Sequence, residues 1–349
     1  MSDERLQPVK SPAAWLGEDL ARTNDWIHVL TPAERVDLRN ALAHARSTGK
    51  SMAEIERADF PLTVLTPSVE CWLAELQAGR GFLNVRGIPF ENDDEAAWIH
   101  WGLGLHLGTA VSQNAAGDLL GHVRDTGADP EDTSVRLYKT RVELGFHSDG
   151  SDLVGLLCIR QGRKGGANRL VSTAALYDEI QKRRPDLVAH LYEPFIWDRN
   201  DEQADDEDPH FALPICRDTD GHRTFFYIGW YIRKAQRHPQ VPRLSREQRE
   251  LLDLIDGIAA EPRFHIEMRL EPGEVNYLKN NAVLHSRTAF DDHPEPMQKR
   301  HLVRLWLTAH GRWSDGDDFV RQGIPVRPGV RSDAEAIQAS EESGAHPRE

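Results

Sequence analysis

The sequence predicts a mainly β protein with flanking helices, built as an antiparallel sandwich or barrel. Helix-start signals are concentrated in the first third of the chain, and apolar runs of strand length dominate from about residue 134 onward. No internal repeat is visible. Short strands that follow leading helices favour an antiparallel sheet structure decorated by helices.

Three helix starts lie near the N-terminus. Thr31-Pro32-Ala33-Glu34 combines a capping threonine, a proline at the first helical position and a glutamate three residues after the cap. Thr66-Pro67 opens a second helix, with Gly79 where a left-handed C-terminal cap is expected, and the segment 92–95 opens a third. Further helices are predicted at 173–183 and 245–259.

Strands are predicted wherever apolar runs are bounded by turn residues. The segment 81–87 is a short strand between two glycines. The later runs that predict strands are 153–159, 224–231, 274–279 and 300–308. Sequence motifs that carry chemistry are therefore expected on strands of the second half.

The charge balance excludes two classes of binding protein. Lys and Arg number 42 against 56 Asp and Glu, a net charge of −14, whereas proteins that bind nucleic acid or membrane surfaces use clustered bases. The three cysteines lack the spacing of a disulfide framework or a zinc site. Neither a signal peptide nor a membrane span is visible. We expect a cytoplasmic protein that binds a small molecule. The sequence does not decide its oligomeric state, and a homo-oligomer is one possibility.

His147-Ser148-Asp149 is the strongest candidate for a pair of metal ligands. On extended backbone, residues i and i+2 project from the same face, so the imidazole and the carboxylate can bind one ion. The sequence holds three His-x-Asp/Glu matches, the others at His265 and His293, which is about the number that chance gives. Only His147 is followed by a long apolar strand and then by the turn Gly165-Gly166.

A second set of polar residues follows the strand at 274–279. It begins with His285, continues fifteen residues later with Arg300, and ends with Arg304 four residues further on. Strand alternation places both arginines on one face of the run 300–308 and leaves an all-aliphatic opposite face. One face should therefore pack on the core while the other lines a polar cavity or meets solvent. Guanidinium groups in a cavity suit carboxylates, because the planar fork binds them bidentately.

These residues resemble the site of a known enzyme family. His147-x-Asp149, the distal His285 and the trailing Arg300 are similar to the metal triad and the co-substrate arginine of the Fe(II)- and 2-oxoglutarate-dependent dioxygenases. More narrowly, the chain resembles the taurine dioxygenase (TauD/TfdA) superfamily, including its clavaminate synthase-like members, over about residues 65 to 310. The supporting segments are 81–89, 165–172 and 300–304.

The resemblance implies a double-stranded β-helix core, which is jelly-roll and cupin-like, in a single dioxygenase domain over 1–349. In this organisation, 1–64 is an N-terminal helical extension packed on the core, and 332–349 is a flexible acidic tail. The core occupies 65–310, with a helical insert around 173–260.

The resemblance also implies the ligands of the site. Fe(II) would be bound by His147, Asp149 and His285, which leaves three coordination positions for 2-oxoglutarate and O2. Arg300 would bind the far carboxylate of 2-oxoglutarate with help from Asn168, a position where many members carry a hydroxyl residue. No catalytic residue beyond the metal ligands is implied.

The implied reaction oxidises 2-oxoglutarate to succinate and CO2 and hydroxylates a small polar metabolite, such as an amino acid or another amine- or carboxylate-bearing compound. The candidate substrate contacts are Arg304, Gln113 and Glu143. Two alternatives stay open: desaturation or cyclisation with the same cofactors, and a non-catalytic metal-binding barrel that acts as a sensor or scaffold. The acidic run 201–208 is either a solvated loop or the border of a lid over the substrate.

Overall fold

The structure, a computed structural model, describes residues 11–132, 135–203, 206–219, 222–310 and Ile324. The predicted acidic tail at 332–349 lies outside these residues. The described part of the chain forms seven α-helices and seventeen strands, so the prediction of a mainly sheet protein with helices is confirmed. None of its helices combines the length and apolar character that crossing a bilayer requires.

The predicted capping patterns begin two of the longer helices. Thr31 forms a reciprocal capping box with Glu34 at the start of α2, and Ser245 forms one with Gln248 at the start of α7. The α-helices are α1 (Gly17–Leu20), α2 (Pro32–Ser47), α3 (Thr66–Ala78), α4 (Asp93–Leu107), α5 (Thr173–Arg183), α6 (Gly229–Ala235) and α7 (Arg246–Ala260). Short 3-10 helices lie at Arg57–Asp59, Leu137–Lys139, Pro185–Tyr192 and Pro296–Gln298.

The strands form a larger sheet, a smaller sheet and three two-stranded pairs. They are β1 (Ile27–Val29), β2 (Phe82–Arg86), β3 (Gly108–Ala110), β4 (Leu120–Val123), β5 (Leu144–His147), β6 (Leu153–Arg160), β7 (Lys164–Gly165), β8 (Asn168–Ser172), β9 (Pro194–Asp198), β10 (His210–Pro214), β11 (Cys216–Thr219), β12 (His222–Phe225), β13 (His265–Met268), β14 (Glu274–Lys279), β15 (Val283–Arg287), β16 (Phe290–Asp291) and β17 (His301–Ala309).

A seven-stranded sheet forms the larger layer. Its order is β1-β2-β14-β6-β17-β3, with β4 also paired to β17, and its pairings are antiparallel except for the parallel pair of β1 and β2. The smaller layer is a four-stranded antiparallel sheet of order β13-β8-β15-β5. Two-stranded pairs join β9 to β10, β11 to β12, and β7 to β16.

Apolar side chains of the two sheets meet in one buried cluster. Leu156 and Leu302 contribute from the larger sheet, and Leu170 and Ile266 contribute from the smaller sheet. Burying both inner faces against each other removes their apolar area from water, at about 25 cal/mol per Å². The space between the sheets is therefore the interior of the molecule.

The two faces of β17 divide as predicted. Val303, Leu305 and Leu307 pack in the cluster on the outer side of the larger sheet, which also holds side chains of α2, α3 and α4. The opposite face of β17 turns Arg304 and Trp306 toward the interior, where both reach Asp149. Alternation along one strand thus separates the hydrophobic core from the polar site.

Two local predictions are wrong. The run 224–231 is not one strand, because β12 ends at Phe225 and α6 begins at Gly229. An apolar run of this length fits a strand or a buried helix equally well. Gly79 ends α3 with a φ of −91° rather than a left-handed φ. The left-handed residue is Gly81, whose φ is 81°.

Candidate active site

Two neighbouring strands of the smaller sheet carry the two predicted histidine ligands. His147 ends β5 and His285 lies in β15, and the antiparallel register pairs them directly, with ring centroids 4.2 Å apart. Their Nε2 atoms lie 3.8 Å and 3.7 Å from the two carboxylate oxygens of Asp149. All three residues are buried, and their ligand atoms lie within 4.8 Å of one another. The structure brings the three predicted metal ligands together.

Hydrogen bonds orient two of these ligands, His147 and Asp149. His147 Nδ1 lies 2.9 Å from the carbonyl oxygen of Gly145, so Nδ1 carries the proton and the lone pair of Nε2 faces Asp149. Asp149 accepts a bond from Trp306 Nε1 at 2.8 Å and another from Arg304 Nη1 at 3.3 Å. Protein groups thus hold the carboxylate in place through both of its oxygens.

Burial and neighbouring charges set the protonation of the triad. Burial lowers the pKa of His147, and burial together with the adjacent His147 ring lowers the pKa of His285 to about 3. Burial alone would raise the pKa of Asp149, but Arg304 and the two histidines outweigh it and lower this pKa to about 2. At neutral pH two neutral imidazoles therefore face a carboxylate. This donor set is typical of non-haem Fe(II) sites with open positions, so the residues fit such an ion.

A cavity of about 750 Å³ adjoins the triad and is lined by His147 and Asp149. Much of its wall is aromatic, with Tyr138, Trp197, Phe211, Phe226, Trp230 and Trp306. Glu202 and Glu207 from the acidic run 201–208 also line it, and Glu202 accepts a bond from Arg136 Nε at 3.0 Å. A cavity of this volume accommodates a metabolite-sized ligand.

The three candidate substrate contacts lie in different surroundings, and only one of them lines the cavity. Arg304 is buried and lines the cavity, and its Nη2 has no hydrogen-bond partner among the described residues. Gln113 instead accepts a bond from Arg304 Nε at 2.8 Å and donates to the Arg304 carbonyl at 2.9 Å, so it holds Arg304 from behind. Glu143 is exposed and pairs with Arg169 at 3.2 Å. Neither Gln113 nor Glu143 lines the cavity.

Arg300 and Asn168 lie buried in the interior. Arg300 Nη2 donates to the Gly166 carbonyl at 3.3 Å, while Arg300 Nε and Nη1 and Asn168 Nδ2 have no partner in the described part of the chain. Burial lowers the pKa of Arg300 to about 10. Burying a cation with unpartnered N–H groups costs free energy. An anion with several acceptor positions, such as a carboxylate, would satisfy these groups.

Comparison with known proteins decides the family. The sequence profile described as "Taurine catabolism dioxygenase TauD, TfdA family" matches residues 44–306. The chain belongs to this family. As a TauD, TfdA family member it is an oxidoreductase of the iron- and 2-oxoglutarate-dependent dioxygenases, which confirms the predicted enzyme class and the cofactors Fe(II), 2-oxoglutarate and O2.

Named relatives of this TauD, TfdA family member come from a bacterium and a fungus. FR-33289 synthase of Streptomyces rubellomurinus is 29% identical over 312 residues, covering 86% of this chain and 90% of the relative. Taurine hydroxylase-like protein SAT17 of Stachybotrys chartarum is 26% identical over 308 residues, covering 84% of this chain and 77% of the relative.

Solved structures share the fold. An asparagine oxygenase bound to Fe(II), 3-hydroxyasparagine and succinate superposes with a TM-score of 0.64 at 15% identity, covering 81% of this chain and 94% of that one. The non-haem iron oxygenase OrfP, bound to Fe and α-ketoglutaric acid, gives 0.61 at 15% identity, covering 85% and 99%. At this identity the likeness establishes the fold alone.

The sequence patterns assign no role to three residues that the structure places at the site of this family member. Trp306 bonds Asp149, but alternation predicts only the face on which it lies. Asn280 Oδ1 accepts the backbone N–H of Asp149 at 3.0 Å, a long-range contact without a sequence signal. Arg287 follows His285 by two residues on β15 and is buried. The i, i+2 spacing that identified His147 and Asp149 would have found Arg287 as well.

Proposed function

We propose that His147, Asp149 and His285 hold the ferrous ion, and that Arg300 with Asn168 binds the far carboxylate of 2-oxoglutarate. The observation that carries the proposal is the buried triad, whose ligand atoms lie within 4.8 Å of one another beside a cavity of about 750 Å³. With O2 as the oxidant, the bound ion and 2-oxoglutarate would supply oxidative decarboxylation to succinate and CO2 coupled to hydroxylation of a C–H bond, one oxygen atom going to succinate and the other to the product. The chain's own part is to orient the ligands, exclude water and position the substrate.

We propose that the substrate is a small polar metabolite with an anionic group, which Arg304 binds. Arg304 Nη1 already bonds Asp149, Nε bonds Gln113, and Nη2 is unpartnered among the described residues. A metal ion that binds Asp149 takes up much of the negative charge facing Arg304, so the buried guanidinium then needs another anion. The aromatic wall suits the carbon skeleton of such a compound.

We also propose that the two packed, mainly antiparallel sheets form a double-stranded β-helix core within a single dioxygenase domain. The shared buried cluster between the sheets supports this arrangement. A cytoplasmic location, without nucleic-acid binding, is supported by the absence of a disulfide among Cys71, Cys158 and Cys216 and by the net charge of −14.

The metal assignment is tested by anaerobic titration of Fe(II) and then 2-oxoglutarate into the protein. We expect a metal-to-ligand charge-transfer band that is lost in His147→Ala. The matched control is His265→Ala, because His265 is another His-x-acid position that lies outside the triad. Its Nδ1 bonds the Ala259 carbonyl at 2.9 Å. Absence of the band in the wild type, or its persistence in His147→Ala, would contradict the proposal.

The substrate proposal is tested by succinate release. A panel of anionic, neutral and cationic metabolites is incubated with the iron-loaded enzyme and 2-oxoglutarate in air. Stimulation by anionic compounds, lost in Arg304→Gln, is the expected result. Stimulation by cationic compounds alone would contradict the role of Arg304, and product analysis separates hydroxylation from desaturation or cyclisation.

A further inference from the structure

Arg287 is a buried arginine whose position links the metal triad to Arg300. It ends β15 two residues after His285, so both side chains lie on the same face of the strand. The antiparallel register with β8 pairs Arg287 directly with Asn168. Its side chain therefore lies beside the residue pair proposed to bind 2-oxoglutarate, on the interior side of the smaller sheet.

The contacts of Arg287 leave most of its donor capacity unused. Arg287 is 4% exposed, and its Nη2 donates to the carbonyl of Val142. Its Nε and Nη1 have no hydrogen-bond partner among the described residues. The guanidinium lies 4.9 Å from the ring centroid of Phe290, and the guanidinium of Arg300 lies 5.0 Å from the same centroid. One phenyl ring thus contacts both cations.

Arg287, Arg300 and Asn168 together present five buried nitrogen atoms without a partner in the described part of the chain. Two acidic residues act on these cations without bonding the unpartnered nitrogen atoms. Asp292 Oδ1 accepts the backbone N–H of Arg300 at 2.6 Å, and Asp125 acts on Arg287 through its charge alone. The charge of Arg300 acts unfavourably on Arg287, and two buried cations that repel each other cost free energy unless an anion binds between them. A carboxylate has about four acceptor positions, more than one guanidinium fork can fill.

We infer that Arg287 is a second cation for the far carboxylate of 2-oxoglutarate, acting beside Arg300. This inference rests on the proposed function, which places that carboxylate at Arg300. Arg287 is a binding residue for the co-substrate and not a metal ligand. A purely structural role, in which Arg287 only packs on Phe290 and bonds Val142, predicts a different pattern of ligand affinities.

The test compares 2-oxoglutarate with 2-oxopentanoate, which has the same carbon chain and lacks the far carboxylate. Both are titrated anaerobically into Fe(II)-loaded protein, and Kd is read from the charge-transfer band. In Arg287→Met, the Kd for 2-oxoglutarate should rise about 10- to 100-fold, the effect of losing a charge-assisted bond, while the Kd for 2-oxopentanoate stays the same. Arg300→Met should show the same selectivity, and the double variant should lose less than the product of the two effects.

Arg169→Met is the matched control, since Arg169 is the neighbour of Asn168 on β8 but bonds Glu267 at 2.7 Å on the outer side. If Arg287→Met weakened the binding of both ligands equally, or of neither, the inference would be overturned. The wild-type band would still support the proposed function in that case. No band in the wild type would overturn both. If Arg287→Met does not fold, Arg287→Lys replaces it and should give a smaller loss with the same preference for 2-oxoglutarate.

Discussion

Substituting alanine for Gly166 should weaken 2-oxoglutarate binding by displacing Arg300. Gly166 has a φ of +71°, and a Cβ at this position would lie 2.8 Å from Nε and 3.2 Å from Cδ of Arg300. Real Cβ atoms do not approach other atoms to 2.8 Å, so something has to shift. The arginine side chain is more easily moved than the backbone, and its guanidinium is the group proposed to bind the co-substrate.

Gly49→Ala provides a control for the backbone strain. Gly49 has a φ of +70°, and a Cβ there would have no neighbour within 4 Å. Both substitutions should lower the free energy of unfolding by about 1 kcal/mol, because alanine at positive φ is strained. Only Gly166→Ala should also impair a charge-assisted hydrogen bond, worth about 1.5–3 kcal/mol, which corresponds to a roughly 10- to 100-fold rise in the Kd for 2-oxoglutarate.

Two measurements separate these effects. Urea unfolding gives the stability of each variant, and anaerobic titration of the Fe(II)-loaded protein gives the Kd for 2-oxoglutarate. If Gly166→Ala binds 2-oxoglutarate as tightly as Gly49→Ala does, then a Cβ at position 166 does not displace Arg300. This result would refute the prediction.

Three further outcomes are expected. Trp306→Phe removes the indole bond to Asp149 and should weaken Fe(II) binding about 10-fold in a chelator competition. Circular dichroism should show that the variant keeps its fold. Burial lowers the pKa of His100 to about 4. As the pH falls below 6.5, His100 therefore takes up a proton in the unfolded state but not in the folded state, which should lower the free energy of unfolding by about 1.4 kcal/mol per pH unit down to about pH 4. Urea unfolding of the metal-free protein should show that His100→Asn removes this contribution to the slope. Asp198 is fully buried, and its carboxylate accepts a bond from Arg237 Nε at 2.7 Å. Asp198→Asn removes this charge and should lower the free energy of unfolding by about 2–3 kcal/mol in the same urea assay, whereas an unchanged unfolding midpoint would contradict the bond.

Local rules predicted where one helix begins and which face of one strand turns toward the site. The capping box at Thr31 predicted the start of α2, and strand alternation predicted which face of β17 carries Arg304. These predictions succeed because each depends on neighbours within a few residues. The apolar run at 224–231 failed for the converse reason: its change from β12 to α6 depends on tertiary contacts that a single apolar pattern does not encode.

The resemblance located the three ligand candidates but not the residues that support them. His147 and His285 lie far apart in the sequence, and only the pairing of β5 with β15 makes them neighbours. The partners of Arg304 illustrate the limit. Gln113 is a candidate substrate contact in the sequence, yet its side chain instead bonds Arg304, because a buried guanidinium needs its N–H groups satisfied. Such long-range contacts leave no periodic signal in the sequence.

Three buried arginines lie at the candidate site although the chain as a whole is acidic, and one of them links metal and substrate binding. The protein carries a net charge of −14, yet Arg287, Arg300 and Arg304 are all buried in the interior. Asp149 is the carboxylate that bonds Arg304, and it is also the proposed metal ligand. A cation bound to Asp149 reduces the negative charge available to Arg304, which increases the affinity of Arg304 for another anion. Because coupling between two binding sites is reciprocal, an anionic substrate on Arg304 should tighten metal binding by the same factor.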